Sequence, residues 1–279
     1  MPVQKNKIPC SVPILTRNSE RYLRECLESV RNFADVFLLD GNSTDSTRPI
    51  AAEFGVPVLS QVDTEEPNVK IENFGAMRKK AADMTKCDWI LVLDSDEYIT
   101  PDLERKISKI VAGSDVNMAY KVPYFMKIGE KLVKYSFSQN SGIRLYNKKS
   151  GIIWNSRTKV HEKFLIPKHV RQVMSKHTFV SHVLPARECR EKDRQYITIA
   201  RKKMLSSEID KKDRRKLLQA CFLNLGRSVN IIRKIMLVYA KHGYKNSLPV
   251  SQVLRYVKYF LMISLFRFVQ FVRTFGGSM

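Results

Sequence analysis

The chain has 279 residues, of which 44% are hydrophobic and 27% charged, and its formal net charge is +22 at pH 7. This length and apolar content suffice for one large core or two small ones, which excludes a disordered chain. The five cysteines are odd in number and include no CxxC pair, so the sequence predicts reduced thiols in the core rather than a disulfide framework.

The first part of the chain alternates apolar runs with helical patterns. Ile8 to Leu15 predicts a strand, and the apolar spacing from about Ser19 to Phe33 predicts the helix that follows it. Val36 to Leu39 and Val56 to Leu59 predict two further strands, and a helix near Ile71 to Met84 leads into the next one. Such alternation implies a largely parallel sheet whose strands end along one edge.

The organising stretch is Asp88 to Thr100, which reads DWILVLDSDEYIT. Its five consecutive apolar residues predict a strand that is buried on both faces. Asp94, Asp96 and Glu97 follow, and carboxylates this close together repel one another unless a cation lies between them. We therefore expect a divalent metal site; an acidic loop that caps the next helix is the alternative. Asp40 ends the second strand and is expected to face the same crevice.

Beyond Pro101 the pattern changes. After a helix to about Val111, aromatic alternation around Gly129 predicts a hairpin over Met118 to Tyr135. Further short strands are expected at Ile143 to Tyr146, Ile152 to Trp154 and Thr178 to Val183. This half of the fold should be mixed or antiparallel and should supply an acceptor pocket.

From Pro185 onward the sequence becomes helical and basic. The predicted helices are Arg187 to Ser206, Lys211 to His242 and Val250 to Arg273. The sequence thus predicts an α/β catalytic domain over residues 1–185, with a mixed, Rossmann-like sheet flanked by helices. A basic helical region over residues 186–279 would follow it.

This C-terminal region has an uneven charge. Residues 186–279 contain 21 Lys and Arg against 6 Asp and Glu, and no acidic residue follows Asp213. Basic residues among aliphatic and aromatic ones suit an anionic membrane surface. Nucleic acid is the alternative explanation of the charge, but no DNA- or RNA-binding signature accompanies it, so no nucleic-acid partner is expected.

The last predicted helix bears on how the chain meets a membrane. In Val253 to Val272 the uncharged core, Tyr259 to Phe266, is only eight residues long, whereas a bilayer span needs about 20. A helix lying in the interface is therefore preferred, with a span and a helix packed in the protein core as alternatives. Met1 to Lys7 leads directly into a strand without a secretory segment, so a cytoplasmic location is expected.

Several motifs, in order, resemble a known family. The runs ILTRN, DGNSTDST, FGAMRKKA and LVLDSDEYI look like glycosyltransferase family 2, which has the GT-A fold. The later runs RLYNKKSGIIW, KVHEKF and FVSHV are similar to its bacterial subgroup that includes lipopolysaccharide core glucosyltransferases. The chain departs from the family pattern at Ser19, Asn42 and Lys79, which leaves the donor sugar open.

The resemblance implies a nucleotide site at the strand ends. Asp40 would accept a hydrogen bond from the uracil imide, and Asp94 would contact the ribose. Residues of the first loop would frame the base, although a helix cap is the alternative for them, and Arg78 would lie beside the nucleotide. The nucleotide-binding residues implied in this way are Thr16, Arg17, Asn18, Glu20, Asp40, Arg78 and Asp94.

The resemblance also implies a metal and a general base. Asp96 would bind Mn²⁺ or Mg²⁺, with His182 either as a second ligand or as a histidine satisfied at the sheet edge. Glu162 would take the proton of the acceptor hydroxyl, and His161 would orient Glu162. A surface Glu162 paired with Lys159 or Lys163 is the alternative.

The resulting hypothesis is an inverting, metal-dependent glycosyltransferase. It would move a sugar from a UDP-sugar donor to a lipid-linked or cell-envelope glycan acceptor, and it would bind peripherally to the inner face of the cell membrane. A nucleotide-sugar-binding scaffold without turnover and a basic nucleic-acid-binding protein are the competing hypotheses.

Overall fold

The structure is a computed structural model that describes residues 7–137, 141–156, 163–206 and 214–275. Within these ranges the helices are α1 (Glu20–Ser29), α2 (Thr47–Glu53), α3 (Phe74–Asp83), α4 (Pro101–Val111), α5 (Arg190–Ser206), α6 (Arg214–His242) and α7 (Val250–Arg273). The strands are β1 (Ile8–Thr16), β2 (Phe33–Asp40), β3 (Val58–Ser60), β4 (Trp89–Leu91), β5 (Glu97–Ile99), β6 (Met118–Ile128), β7 (Lys131–Val133), β8 (Ser141–Asn147), β9 (Ile153–Trp154), β10 (Phe164–Leu165), β11 (Arg171–Met174) and β12 (Phe179–His182).

The main sheet is mixed, in the order β3-β2-β1-β4-β8-β6-β12-β5. The first four strands in this order run parallel, whereas β8 is antiparallel to both β4 and β6. β6 also pairs with β7 in the predicted hairpin and with β11, and β9 pairs with β10 in a separate two-stranded sheet. The prediction of a mixed α/β sheet flanked by helices is confirmed.

The core of this sheet explains why its central strands are almost entirely apolar. Leu91 of β4 and Val12 of β1 are 1% and 0% exposed, because helices pack against both strands. Leu23 of α1 and Ile107 of α4 belong to the same cluster. Ile90 lies in a second cluster, with Tyr146 and Trp154. Apolar groups thus surround β4 on both faces, as its uninterrupted sequence predicts.

Some predictions of single elements are wrong. The first helix ends at Ser29 rather than near Phe33, and Phe33 instead begins β2 as a fully buried strand residue. The short strands β5, β10 and β11 were not predicted, because two to four residues contain too little pattern to reveal a strand. All five cysteines are free thiols, as predicted.

The chain forms two compact units. The first contains residues 1–125 and 140–182, and the second contains residues 126–139 and 183–279. In the second unit α6 and α7 pack antiparallel, since Cys221 lies against Ser264 while Ser228 contacts the carbonyl of Val257. Val253 and Val257 are buried there with Ile231 and Ile235, so one side of α7 packs in the core of the second unit. No helix in the described ranges is long and apolar enough to cross a bilayer.

A buried polar link joins β1, β2 and the loop before β4. Ser11, which is opposite Asp35 in the sheet, donates a hydrogen bond of 2.5 Å from its hydroxyl to that carboxylate. The hydroxyl also accepts from the backbone N–H of Cys87 at 3.0 Å, and Asp35 accepts from the N–H of Lys86 at 2.8 Å. Ser11 and Asp35 are 0% and 7% exposed, so water does not replace these bonds.

We expect Ser11→Ala to lower the free energy of unfolding of the first unit by about 1–3 kcal/mol, because it removes one of the two hydrogen bonds to Asp35 Oδ2 and leaves the backbone N–H of Cys87 without its acceptor. Both tryptophans lie in this unit, so denaturant unfolding followed by tryptophan fluorescence reports on it. Ser114→Ala at an exposed position is the matched control. Equal midpoints for the two variants would contradict the role given to Ser11.

Candidate active site

The carboxyl ends of β1, β2 and β4 lie side by side along one sheet edge, because these strands are parallel neighbours. Thr16 and Asp40 are paired in register at the ends of β1 and β2. Asp94 and Asp96 follow β4 after a short extension. The structure therefore brings the predicted residues of all three strand ends to the same edge, as the alternation of strands and helices implies.

Asp40 is fully buried and its carboxylate is saturated. One oxygen accepts from the hydroxyls of Thr16 and Ser43 at 2.8 and 2.6 Å, and the other accepts from the Ser43 N–H at 2.9 Å and from Arg48 Nε at 3.0 Å. An ionised carboxylate offers about four such sites. To accept from a uracil imide, Asp40 must therefore exchange one of these bonds.

The loop after β1 is tied to the loop after β2. Asn18 adopts a left-handed backbone conformation with φ of 47°, and its side-chain oxygen accepts from the Thr44 N–H at 2.9 Å. Glu20 accepts from the Ser46 N–H at 2.9 Å. Arg17 is exposed, and Ser19 at the start of α1 makes no side-chain capping bond. The side chains of Asn18 and Glu20 thus join the two loops instead of capping α1.

Gly41 and Asn42 show why the turn after β2 tolerates little variation. A Cβ atom at Gly41 would lie 2.6 Å from the carbonyl oxygen of Val69, which no side chain permits. Asn42 has φ of 54°, a conformation that suits glycine or asparagine. Its amide donates to the carbonyls of Thr64 and Glu66 at 2.6 and 2.9 Å. Asn42, which departs from the family pattern, therefore adds two hydrogen bonds that hold the same turn.

Two arginines separate the carboxylates that follow β4. Arg78 of α3, which is 8% exposed, forms an ion pair with Asp94. Arg144 of β8 holds Glu97 through two bonds of 2.8 and 2.9 Å, and its guanidinium carbon lies 4.4 Å from the centre of the Phe179 ring. The repulsion expected among these acids is thus relieved by arginines at two of the three carboxylates.

These surroundings shift the pKa values of Asp94 and Glu97 in opposite directions. Desolvation raises the pKa of Asp94, but the guanidinium groups of Arg78 and Arg144 outweigh it, so the pKa of Asp94 is lowered overall. Desolvation and the charge of Asp94 raise the pKa of Glu97 to about 8, against the opposing effect of Arg144. Asp94 therefore carries the negative charge of this pair at neutral pH.

Sequence reasoning missed Arg144. It stands in the run RLYNKKSGIIW that carries the resemblance, but no role was assigned to it. Its carbonyl also accepts from the Val92 N–H at 2.7 Å, which extends the pairing of β8 beyond β4 toward Asp94. A basic residue within an otherwise apolar strand pattern was the available signal, since such a charge is buried only with a partner.

Asp96 and His182 are neighbours through their backbones. Asp96 is exposed, and its carbonyl accepts from the His182 N–H at 2.8 Å. The His182 ring is buried, stacks on Tyr22 with centroids 4.1 Å apart, and points Nε2 to the Glu25 carboxylate at 2.7 Å. In the described part of the chain no group of three His, Cys, Asp or Glu side chains is arranged to hold a metal ion. The backbone hydrogen bond is the contact that joins Asp96 to His182, and a metal site at these two residues stays a prediction.

The predicted base, Glu162, and its neighbour His161 lie outside the described residues, as do Lys159 and most of the KVHEKF motif. The described chain leads to this segment beside α3, because Asn73 at the start of α3 donates to the Ser156 carbonyl at 2.7 Å. Asn73 also caps α3 by accepting from the Ala76 N–H. Lys79, the third departure from the family pattern, is exposed and pairs with Asp83.

The mixed sheet, with carboxylates and arginines at its parallel strand ends, is an α/β arrangement of the GT-A kind. The family model for glycosyl transferase family 2 matches residues 11–170, which is more than half of the chain, and the chain belongs to this family. The likeness stated from the motifs is thereby confirmed.

Individual proteins match less completely. An uncharacterized glycosyltransferase of Rickettsia typhi is 30% identical over 162 residues, which cover 56% of this chain and 53% of that protein. The lipopolysaccharide core biosynthesis glycosyltransferase LpsC of Rhizobium meliloti is 25% identical over 162 residues, covering 56% and 57%. The match thus spans about half the length of these relatives. The crystal structure of S. aureus TarS 1–349 in complex with UDP covers 96% of this chain and 91% of that chain at 17% identity, with a TM-score of 0.42.

We expect the raised pKa of Glu97 to make the first unit less stable as pH rises. The folded state holds a proton on Glu97 between its ordinary pKa of 4.5 and about 8, so this stabilisation is complete below 4.5 and disappears as pH rises through 8. The lowered pKa of Asp94 acts in the opposite direction, but only below its ordinary value of 3.8.

Glu97→Gln should remove this loss of stability with rising pH. The loss amounts to at most about 1.4 kcal/mol for each pH unit. The measurement is the unfolding midpoint by tryptophan fluorescence in mildly acidic and mildly alkaline buffer, with Glu65→Gln at an exposed position as control. If the midpoints of Glu97→Gln and wild type change in parallel with pH, Glu97 titrates in the usual range.

Proposed function

We propose that the protein is an inverting, metal-dependent glycosyltransferase that moves a sugar from a UDP-sugar to a lipid-linked or cell-envelope glycan acceptor. The observation that carries the proposal is the exposed Asp96, next to an Asp94 held ionised by two arginines, at the shared strand edge of a family 2 chain. The envelope acceptor is supported by the likeness to LpsC, a glycosyltransferase of lipopolysaccharide core biosynthesis.

In this proposal the nucleotide lies along the ends of β2, β1 and β4. Asp94 accepts a hydrogen bond from a ribose hydroxyl, since Arg78 and Arg144 keep its carboxylate ionised. The base lies against the linked loops after β1 and β2, where Thr16 and Asp40 are joined at 2.8 Å. Arg17, Asn18 and Glu20 belong to the same loops. Arg17 is the exposed cation among them.

The metal would be held by Asp96, with His182 as a second ligand. Glu25 contacts Nε2 of His182 and fixes the ring, and such a carboxylate partner is common around metal-bound histidines. When bound, Mn²⁺ or Mg²⁺ would offset the negative charge of the diphosphate leaving group. A carboxylate and an imidazole accord with Mn²⁺ somewhat better than with Mg²⁺.

Glu162 is proposed as the general base and His161 as the residue that orients it. The proposal rests on the KVHEKF motif and on the side of the sugar from which the acceptor hydroxyl attacks. In an inverting displacement the acceptor hydroxyl attacks from the side opposite the leaving diphosphate, so its proton must go to a group in the acceptor half of the fold. The acceptor half begins at Met118 in the sequence, and Glu162 lies within it.

A membrane location and a division of labour are also proposed. Residues 1–185 would form the catalytic domain, and residues 186–279 would bind an anionic membrane surface at the inner, cytoplasmic face. Twelve basic and no acidic residues after Asp213 support this. Exposed apolar side chains on α6 and α7, among them Phe222 and Leu265 at 61% and 57% exposure, support it as well.

We expect Asp96→Ala to abolish transfer and to remove the metal dependence of UDP binding, because it deletes an exposed ligand without opening a core cavity. The measurements are UDP release with an envelope glycan extract and UDP affinity by titration with and without Mn²⁺. Asp102→Ala, at an exposed carboxylate on α4, should behave as wild type. Metal-dependent UDP affinity that survives in Asp96→Ala would refute the assignment.

Glu162→Gln should lower turnover by roughly 10²- to 10⁴-fold while UDP-sugar affinity stays near the wild-type value. Gln keeps the size of the side chain but cannot take a proton. Binding and turnover should thus separate in this variant, whereas in Asp96→Ala they fail together. Turnover at saturating acceptor within about threefold of wild type would place the base elsewhere.

A further inference from the structure

The outer side of the α6–α7 pair is apolar, although none of the described residues of the second unit covers it. Its exposed apolar residues on α6 include Phe222, Val229 and Met236, which recur every seven residues and are 59–61% exposed. Leu254 and Leu265 of α7 are 59% and 57% exposed. Such contiguous apolar surface marks an interaction site on a water-soluble unit.

The rows on the two helices lie on the same side of the pair. On α6 each exposed residue directly follows one that faces α7 or the core, as Phe222 follows Cys221 and Val229 follows Ser228. On α7, Leu265 likewise follows Ser264. A step of one residue along a helix turns the side-chain direction by about 100° around the helix axis. Because the helices are antiparallel, the same rotation carries both rows to one side.

Basic residues share this side. Arg233 follows Val229 by one helical turn, and Lys258 directly follows Val257, which faces α6; both are exposed. The hairpin from residue 214 to 275 contains no acidic residue at all. Two copies of this face brought together would therefore oppose like charges, whereas anionic lipid would complement them.

We propose that α6 and α7 together form one flat membrane-docking face, with both helices parallel to the surface of an anionic bilayer. Apolar residues enter the headgroup boundary, and Arg233 and Lys258 reach lipid phosphates. The row from Phe222 to Met236 alone is about 21 Å long. This inference rests on the proposed membrane location of residues 186–279 and extends it, because the sequence placed an interfacial helix only at Val253 to Val272.

Removing α7 would not test this, since α7 buries Val253 and Val257 in the core of the second unit. Paired substitutions on the exposed side are suitable: Val229→Glu with Met236→Glu on α6, and Leu254→Glu with Leu265→Glu on α7. The control pair, Leu165→Glu with Met174→Glu, changes residues of the first unit that are 50% and 55% exposed. Circular dichroism and UDP affinity verify that each full-length variant is folded.

The assay is co-sedimentation with vesicles of phosphatidylethanolamine and phosphatidylglycerol, compared with phosphatidylcholine alone. Wild type and the control pair should bind the anionic vesicles, and each helix pair should lower the partition coefficient roughly tenfold or more. Loss in the α7 pair but not in the α6 pair overturns the shared face and leaves the membrane location standing. Absence of wild-type binding refutes both, while UDP binding and turnover still test the enzyme.

A second copy of the chain is the other possible occupant. Sedimentation velocity without lipid distinguishes it: a dimer of wild type that the α6 pair converts to a monomer would overturn the membrane assignment. A wild-type monomer accords with it.

Discussion

The site depends on the placement of two arginines, one buried and one half-buried, against the acids that follow β4. Three carboxylates within four residues repel one another strongly inside a protein, where the effective dielectric constant is low. Arg78 comes from α3 and Arg144 from β8, so both elements must dock before Asp94 and Glu97 are tolerated. The site therefore forms only with the complete first unit. An error in the pairing of β8 would remove its charge balance.

The remaining carboxylate, Asp96, differs from its neighbours because it is exposed. One residue of the cluster thus lies at the surface, while the other two are held by arginines within the fold. His182 shows the same division at shorter range. Its backbone belongs to the sheet edge beside Asp96, whereas its ring is fixed by Tyr22 and Glu25 of α1. The backbone of His182 thus contacts Asp96, while its ring packs against α1.

The sequence was informative where a pattern was long or a motif specific. The hairpin around Gly129 and the helix Val250–Arg273 were predicted because apolar periodicity extends over many residues. The alternation of strands and helices put Asp40 and Asp94 at one edge, and the family followed from several motifs in order. The partners of these acids could not be predicted. Arg144 reaches Glu97 only through the pairing of β8 with β4, and that register depends on tertiary contacts. For the same reason Phe33 was placed on a helix rather than in β2.

The saturated carboxylate of Asp40 has a kinetic consequence. In the proposed function, a base that reaches Asp40 would have to replace one of the present partners of this carboxylate, of which Arg48 is the most exposed. The Arg48 side chain is 48% exposed and can turn to solvent, while Thr16 and Ser43 cannot leave without opening the turn. Docking of the nucleotide would then be a gated step, in which the departure of one guanidinium sets the rate at which the correct base is accepted.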